Sequence, residues 1–319
     1  MMENKQDKIP VLAVVGPTAS GKTGLAIELA QALHGEIVSC DSMQIYRGMK
    51  IGTAQPTAEE LARVPHHLIG FLEPSEPFSV SDYVRLASQT IQEIHARGCL
   101  PILCGGTGLY ARSLLSGLPF DEFGRDDALR ARLQAEAEEQ GTEALYRRLV
   151  KLDPEAAEKI HPNNRPRLFR ALEYCLLSGK KFSQWQKEAA ATPSPYDVCM
   201  FGIDYHDRAA LYARIEMRVD QMFRDGLENE ARAYFAAFPG GTSGQAIGYK
   251  ELFPYFRGEC TLEQAKETIC RETRHYAKRQ LTWFRREKEI FWVYGDEKTC
   301  TLKEQALPLA LHWIGGNCP

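Results

Sequence analysis

The sequence is short of several things, and each shortage excludes something. No run of eighteen apolar residues occurs, so no segment is built to span a membrane as a helix. The opening residues Met1-Met2-Glu3-Asn4-Lys5-Gln6-Asp7-Lys8 lack the apolar core of a secretion signal, and the expected compartment is the cytoplasm. Nine cysteines are present, but none stands in a C-x-x-C pair, and the eight histidines show no metal-ligand spacing with them. An odd number of cysteines, several inside apolar runs, reads as buried reduced thiols rather than a disulfide framework or a zinc site. An excess of either charge is missing as well, with 39 Lys and Arg against 42 Asp and Glu. The net charge is −3, so a nucleic-acid surface would have to be a local basic patch. What is present is a chain of 319 residues, 44% hydrophobic and 25% charged, long enough for two domains or for one large domain with an appendage.

Two periodicities organise it. Residues 11–15 form a short apolar, β-branched run ending at a glycine loop, the pattern of a buried parallel strand. Leu25, Ala26, Leu29, Ala30 and Leu33 recur at helical spacing over residues 22–34, with Gly35 as the expected cap. Residues 36–40 and 99–104 predict two more strands, with an amphipathic helix over 79–97 that Gly98 ends. Strands alternating with helices mean an α/β fold with a parallel sheet covered on both faces. After Pro119 the pattern changes: residues 126–190 are helix-forming and hold no convincing strand. Sheet signal returns at 198–204, then helices over 208–238 and 262–288 and a short strand at 290–293. The expected division is a core of residues 1–120 and 195–319, with an all-helical insertion over 121–194.

The loop after the first strand is Gly16-Pro17-Thr18-Ala19-Ser20-Gly21-Lys22-Thr23. The spacing G-x-x-x-x-G-K-[ST] between a strand and a helix is a P-loop, and the fold expected is a P-loop parallel sheet flanked by helices. A glycine-rich turn leaves backbone N–H groups pointing inward, and the helix that follows adds its positive end. Lys22 supplies a charge to phosphate oxygens, and the Thr23 hydroxyl suits Mg²⁺. The motif is specific for phosphate and says little about which phosphate compound.

A P-loop ATPase also needs a carboxylate beside the loop. The strand over 99–104 ends in Cys104-Gly105-Gly106 instead. The acidic residue at a strand end nearby is Asp41, at the carboxyl edge where ligands of such sheets collect. It reads either as a metal ligand or as a base that takes a proton from a nucleophile; a turn cap is the bland alternative. Gly105-Gly106-Thr107-Gly108 faces the same edge, and Thr107 offers a hydroxyl to a bound diphosphate. Arg214 and Arg218, four apart, share a helix face and either grip a leaving diphosphate or stay solvated.

The local basic patch is on the helix over 271–288. At 100° per residue Arg271, Arg274, Lys278, Arg279, Arg285 and Arg286 fall within roughly 140°. Apolar residues such as Tyr276, Ala277, Leu281 and Phe284 take the opposite side. Gln280 sits amid that apolar arc, where its amide needs partners: it reads a base edge or braces the backbone. Arg165, Arg167 and Arg170 make a second basic group at a helix start, equally suited to a polyanion or to solvent.

Taken in order, these stretches resemble one family: the bacterial tRNA dimethylallyltransferases, or tRNA isopentenyltransferases. They are the P-loop, Asp41-Ser42-Met43-Gln44-Ile45-Tyr46, Ile51-Gly52-Thr53-Ala54, Pro65-His66-His67-Leu68 and Gly105-Gly106-Thr107-Gly108-Leu109-Tyr110. Later come His161-Pro162-Asn163-Asn164, Gln245-Ala246-Ile247-Gly248-Tyr249-Lys250 and the run from Tyr276 to Arg285. The resemblance implies transfer of a dimethylallyl group from dimethylallyl diphosphate to N6 of the adenosine beside the anticodon. Gly16, Thr18, Ala19, Ser20, Gly21, Lys22 and Thr23 would hold the diphosphate, with Mg²⁺ on Thr23. Asp41 would be the general base, and Thr107 and Arg218 would stabilise the departing diphosphate. For the tRNA anticodon stem-loop it implies Asp41, Ser42, Gln44, Arg165, Arg167, Gln245, Arg274, Lys278, Arg279, Gln280 and Arg285, with the insertion helping to grip it. A monomer is expected, with no membrane contact. His275 departs from the family's pair of basic residues, and the zinc finger of eukaryotic members is absent. Rivals are a P-loop small-molecule kinase, a non-catalytic RNA-binding module and an enzyme that prenylates free adenine nucleotides.

Overall fold

The apolar run near the start of the chain becomes the middle of a sheet. The computed structural model describes residues 8–117, 126–237 and 242–316. In it strand β1 (Ile9–Val15) is covered on both faces, and Val11 to Val15 are fully buried. Burial on both faces is why the strand reads as an unbroken apolar run. The chain continues through α1 (Lys22–Leu33), β2 (Gly35–Ser39), α2 (Ala58–Arg63), the short β3 (His66–His67), α3 (Val80–Ala96), β4 (Leu100–Gly105) and α4 (Gly108–Leu115). Helices α5 (Asp127–Gln140), α6 (Thr142–Leu152), α7 (Pro154–Lys159), α8 (Arg165–Ser178) and α9 (Phe182–Ala191) follow. The sheet resumes with β5 (Tyr196–Asp204). After it come α10 (Arg208–Arg224), α11 (Leu227–Ala237), α12 (Phe253–Phe256), α13 (Leu262–Phe284), β6 (Phe291–Tyr294) and α14 (Leu302–Ile314).

Six strands pair in parallel in the order β3-β2-β4-β1-β5-β6. In β1, Leu12 and Val14 pack with Leu25 and Leu29 of α1, whereas Val11, Ala13 and Val15 pack with Ile91 of α3 and Leu114 of α4. Alternate residues of one strand thus feed two cores. Each fully buried side chain of this size contributes about 1.5–3 kcal/mol relative to exposure.

The chain forms two compact units, residues 1–115 with 195–319 and residues 116–194. The second is helical, with its own core of Leu133, Leu145, Leu149, Leu168 and Leu172. Asp153 is fully buried there: its carboxylate accepts from Ala156 N at 3.1 Å and from Ser183 N and Oγ at 2.7 Å each, joining the starts of α7 and α9. The expected boundary at 120/121 lies outside the described residues.

Two expectations need correction and one needs refinement. The cap of α1 is His34, in the left-handed region at φ 51°, and Gly35 instead opens β2. A Cβ on Gly35 would meet the Leu100 carbonyl and the Ile102 side chain at 2.8 Å, so glycine serves close strand approach there. The helical stretch expected over 208–238 divides after Arg224, and Gly226 at φ 100° turns the chain between α10 and α11. The helix expected to reach residue 288 ends at Phe284. Elements α2, β3 and α14 come in addition. The eight described cysteines are all free thiols, and Cys318 lies outside the described residues.

Candidate active site at the carboxyl edge of the sheet

The loops that leave the carboxyl ends of β1, β2 and β4 surround a cavity of about 280 Å³. This edge is where an open parallel sheet collects its ligands. Helices α10 and α13 close the cavity with Arg218, Val219, Tyr276, Arg279 and Gln280.

The P-loop forms one wall. Gly16 takes φ 142°, and a Cβ there would meet the Ile203 carbonyl of β5 at 2.9 Å. Helix α1 begins on Gly21 with no side-chain cap, which leaves its first-turn N–H groups for an anion. Thr18, Lys22 and Thr23 line the cavity. Gly16, Ala19, Ser20 and Gly21 shape the loop without lining it. The Ala19 carbonyl accepts from Arg214 Nε at 2.9 Å and that of Ser20 from the Tyr205 hydroxyl at 3.2 Å. Lys22 Nζ donates to the Pro17 carbonyl at 2.6 Å. Burial pushes the Lys22 pKa down to about 8; the Arg218 charge adds to the fall, and Asp41 and Cys104 oppose it.

Arg214 and Arg218 do share a face, and it is turned on the P-loop. Arg218 stands in the cavity wall, where burial, and more weakly Arg214, hold its pKa below the usual guanidinium value. The wall therefore has a cationic end in Lys22 and Arg218. Met43, Ile215, Val219, Met222, Ile247 and Ile269 give it an apolar stretch. An anionic head joined to a small apolar group suits that combination.

Asp41 brings a carboxylate to the same wall. Its Oδ1 accepts from the amides of Met43 at 2.8 Å and Gln44 at 3.3 Å, which fixes the side chain in an Asx turn. Oδ2 makes no hydrogen bond among the described residues. Cys104 is a poor nucleophile, since burial pushes its thiol up to about 12. Oxygen donors for a cation are the Thr23 hydroxyl and Asp41, and among the described residues no three of His, Cys, Asp or Glu gather into a cage. That donor set fits Mg²⁺, which takes one or two protein oxygens and completes its shell with water and phosphate.

Thr107 is partly exposed and stands beside Ser42 and Tyr276, both of which line the cavity. Its Oγ1 accepts from Ser42 N at 3.0 Å and donates to Ser42 Oγ at 3.4 Å, tying the loop after β4 to the loop after β2. The glycines before it permit this approach, because a Cβ on Gly105 would fall 2.0 Å from the Cys40 carbonyl.

Gln280 is the brace of the two readings open to it. Its Oε1 accepts from Thr18 N at 2.8 Å and its Nε2 donates to the Gly106 carbonyl at 2.9 Å. With 5% exposure, its amide is spent on backbone and not on a base edge. Gln44 is similar: Nε2 donates to the Ala54 carbonyl at 2.8 Å and Oε1 accepts from Ser39 Oγ at 3.1 Å. Ser42, Gln44, Gln245 and Arg279 line the cavity. Lys278 is exposed on the outer face of α13.

The basic stripe of α13 is partly neutralised. Arg274 pairs with Glu216 at 2.9 Å, Arg271 with Glu272 at 3.3 Å, and Arg285, beyond the helix end, with the buried Asp204 at 2.5 Å. Spacing showed the stripe but not Glu216 and Asp204, the partners from other elements. Arg165 and Arg167 are exposed on the first turn of α8. Cations at that positive end do not help the helix, so their placement has another cause. Sequence reasoning missed Tyr276 as a cavity residue. Burial pushes its phenol pKa up, and the Asp41 charge adds to the rise. Its helical spacing placed it on the buried side of α13, which was the available signal. No helix is long and apolar enough to cross a membrane among the described residues.

A profile of the IPP transferase family matches residues 44–287, and an isopentenyl transferase profile matches residues 9–69. The tRNA dimethylallyltransferase of Geobacter sulfurreducens is 48% identical over 288 residues, 90% of this chain and 92% of its own. That of Halalkalibacterium halodurans is 48% identical over 286 residues, 89% of this chain and 91% of its own. The crystal structure of the full-length tRNA isopentenylpyrophosphate transferase of Bacillus halodurans aligns with a TM-score of 0.71 at 44% identity, covering 97% of each chain. A eukaryotic dimethylallyltransferase acting on tRNA aligns with a TM-score of 0.85 at 29% identity, over 97% of this chain and 80% of its own. With a family profile across most of its length and relatives nearly half identical along nine-tenths of it, the chain belongs to the IPP transferase family, that of the tRNA dimethylallyltransferases.

Proposed function

We propose that the chain transfers the dimethylallyl group of dimethylallyl diphosphate to N6 of the adenosine 3′-adjacent to the anticodon, position 37, of tRNA, releasing diphosphate. The observation that carries the reading is one cavity in which a P-loop, an apolar stretch and the Asp41 carboxylate meet. A kinase reading lacks its acidic residue at the end of β4, where the chain has Cys104 and Gly105.

The P-loop amides, Lys22 and Arg218 hold the diphosphate and stabilise the charge that grows on it as it leaves. The transfer makes the N6–C1 bond and breaks the C1–O bond to diphosphate, and Asp41 takes the proton that N6 gives up. Thr107 holds the segment that carries Asp41 and Ser42. The Thr23 hydroxyl, with phosphate oxygens and water, would hold Mg²⁺, which when bound supplies positive charge to the departing diphosphate. The target base leaves its stack to enter the cavity, and Gln245 and Arg279 stand in the wall to meet it. Lys278 on α13 and Arg165 and Arg167 on α8 meet the phosphates of the anticodon stem-loop. The chain works as a monomer in the cytoplasm.

The test supplies labelled dimethylallyl diphosphate with tRNA, AMP and ATP in separate reactions. Label is expected on tRNA. Label on AMP alone would overturn the tRNA assignment, and phosphoryl transfer from ATP without prenyl transfer would favour the kinase.

A further inference from the structure

Asp41 is held by a chain of contacts that starts far from the P-loop. Oδ1 of Asp41 accepts from Gln44 N, and the Gln44 amide donates to the carbonyls of Ala54 at 2.8 Å and Thr53 at 3.3 Å. Ala54 N in turn donates to the Ile51 carbonyl at 3.0 Å. The segment from Lys50 to Gly52 is gripped by one carboxylate, that of Glu230 on α11. Glu230 accepts from Lys50 N at 2.8 Å, from Ile51 N at 3.0 Å and from Gly52 N at 3.0 Å. Three successive amides converging on an anion form a nest, which commonly holds a phosphate or carboxylate.

The same carboxylate reaches a second loop of the cavity. Glu230 Oε1 accepts from the Tyr249 hydroxyl at 2.6 Å. Tyr249 is fully buried and packs on Gly52, where a Cβ would fall 2.3 Å from its ring. Gly52, Thr53 and Ala54 from one loop and Ala246, Ile247 and Gly248 from the other all line the cavity. Hydrogen bonds to a charged acceptor are roughly twice as strong as neutral ones.

We propose that Glu230 is a positioning residue for the transfer, which fixes Asp41 and the wall across from the P-loop by joining the 50–54 and 245–250 loops. The inference rests on Asp41 being the base. Lys50 is exposed, and Ile51 and Gly52 are partly so. Water therefore replaces part of what Glu230 supplies when it is removed, and the loss falls on geometry more than on stability. A misplacement of about 1 Å near the reacting groups costs up to about 10²-fold in rate.

The experiment is a double-mutant cycle on the full chain, with Glu230→Gln, Asp41→Ala and the pair, reading kcat, KM for the diphosphate substrate, pyrophosphate binding and Tm. Glu230→Gln is expected to lower kcat about tenfold or more, with pyrophosphate binding and Tm near wild type. Added to Asp41→Ala it is expected to lower kcat little further, because it acts through Asp41. Tyr249→Phe, which keeps the ring on Gly52, is expected to lower kcat severalfold in the same way, and serves if Glu230→Gln folds poorly. Losses that add in full, or kcat, pyrophosphate binding and Tm falling together in both variants, overturn the inference. A normal Glu230→Gln beside a crippled Asp41→Ala sinks the inference alone. An unaffected Asp41→Ala sinks the base assignment and the inference with it.

Discussion

Gln280 Oε1 lies 2.8 Å from the amide nitrogen of Thr18, 262 residues before it in the chain. Because Nε2 of the same amide holds the Gly106 carbonyl, one side chain on α13 fastens the P-loop to the glycine loop after β4. A buried amide with both ends on backbone keeps two loops in register that no strand pairing connects.

Gln280→Leu keeps the volume and removes both bonds, leaving the buried Gly106 carbonyl unpaired at about 1–3 kcal/mol and the part-buried Thr18 N–H to water. The expected result is a Tm several degrees lower and weaker pyrophosphate binding, measured by thermal unfolding and titration calorimetry. Unchanged pyrophosphate affinity would show that the brace does not set the loop's shape.

Asp41 has two jobs that substitution separates. Asp41→Asn keeps an oxygen for the amides of Met43 and Gln44 but cannot take a proton. Both Asp41→Asn and Asp41→Ala are expected to lose about 10²-fold or more in kcat while tRNA binding stays nearly intact. An active Asn variant would leave Asp41 a turn cap.

Lys22 gives the reaction a pH limit. Its pKa is lowered from 10.5 to about 8, so the ammonium is present below that pH and is lost as pH rises through it. Pyrophosphate affinity of the free protein is expected to fall on the alkaline side of pH 8. Arginine does not titrate there, so Lys22→Arg should bind with an affinity flat in pH. The same alkaline fall in Lys22→Arg would move the titration to another group.

The basic residues of the stripe should separate into two classes. Lys278→Ala with Arg279→Ala is expected to weaken tRNA binding and to flatten its salt dependence by about 0.7–0.9 per lost phosphate contact. Arg285→Ala should act chiefly on stability, since it leaves the carboxylate of the buried Asp204 without its partner. Filter binding across salt concentrations, read beside Tm, distinguishes the two.

Much of this was legible in the sequence for a physical reason. The P-loop, Asp41 and the strands at 11–15 and 198–204 are local patterns, set by neighbours a few residues away. What escaped depends on distant partners. Nothing near Gln280 names Thr18 and Gly106 as the groups it holds, and nothing near Arg285 names Asp204. Nothing near Thr107 names Ser42 as the group its hydroxyl holds, a contact that the closeness of Gly105 to Cys40 permits. Helices α2 and α14 did leave a local mark, the Thr57-x-x-Glu60 and Thr301-x-x-Glu304 capping boxes, which apolar periodicity alone does not detect.

The strand order also sets a timetable for synthesis. β1 is flanked by β4 and β5, and its residue Ile9 pairs with Tyr196. At about 5–20 residues per second, a ribosome exposes β1 roughly 10–40 s before that partner emerges. Through that interval Val11 to Val15, which end wholly buried, present a bare edge suited to pairing with the wrong chain. A nascent chain stalled in the helical insertion is thus an aggregation hazard, and chaperone demand should peak there.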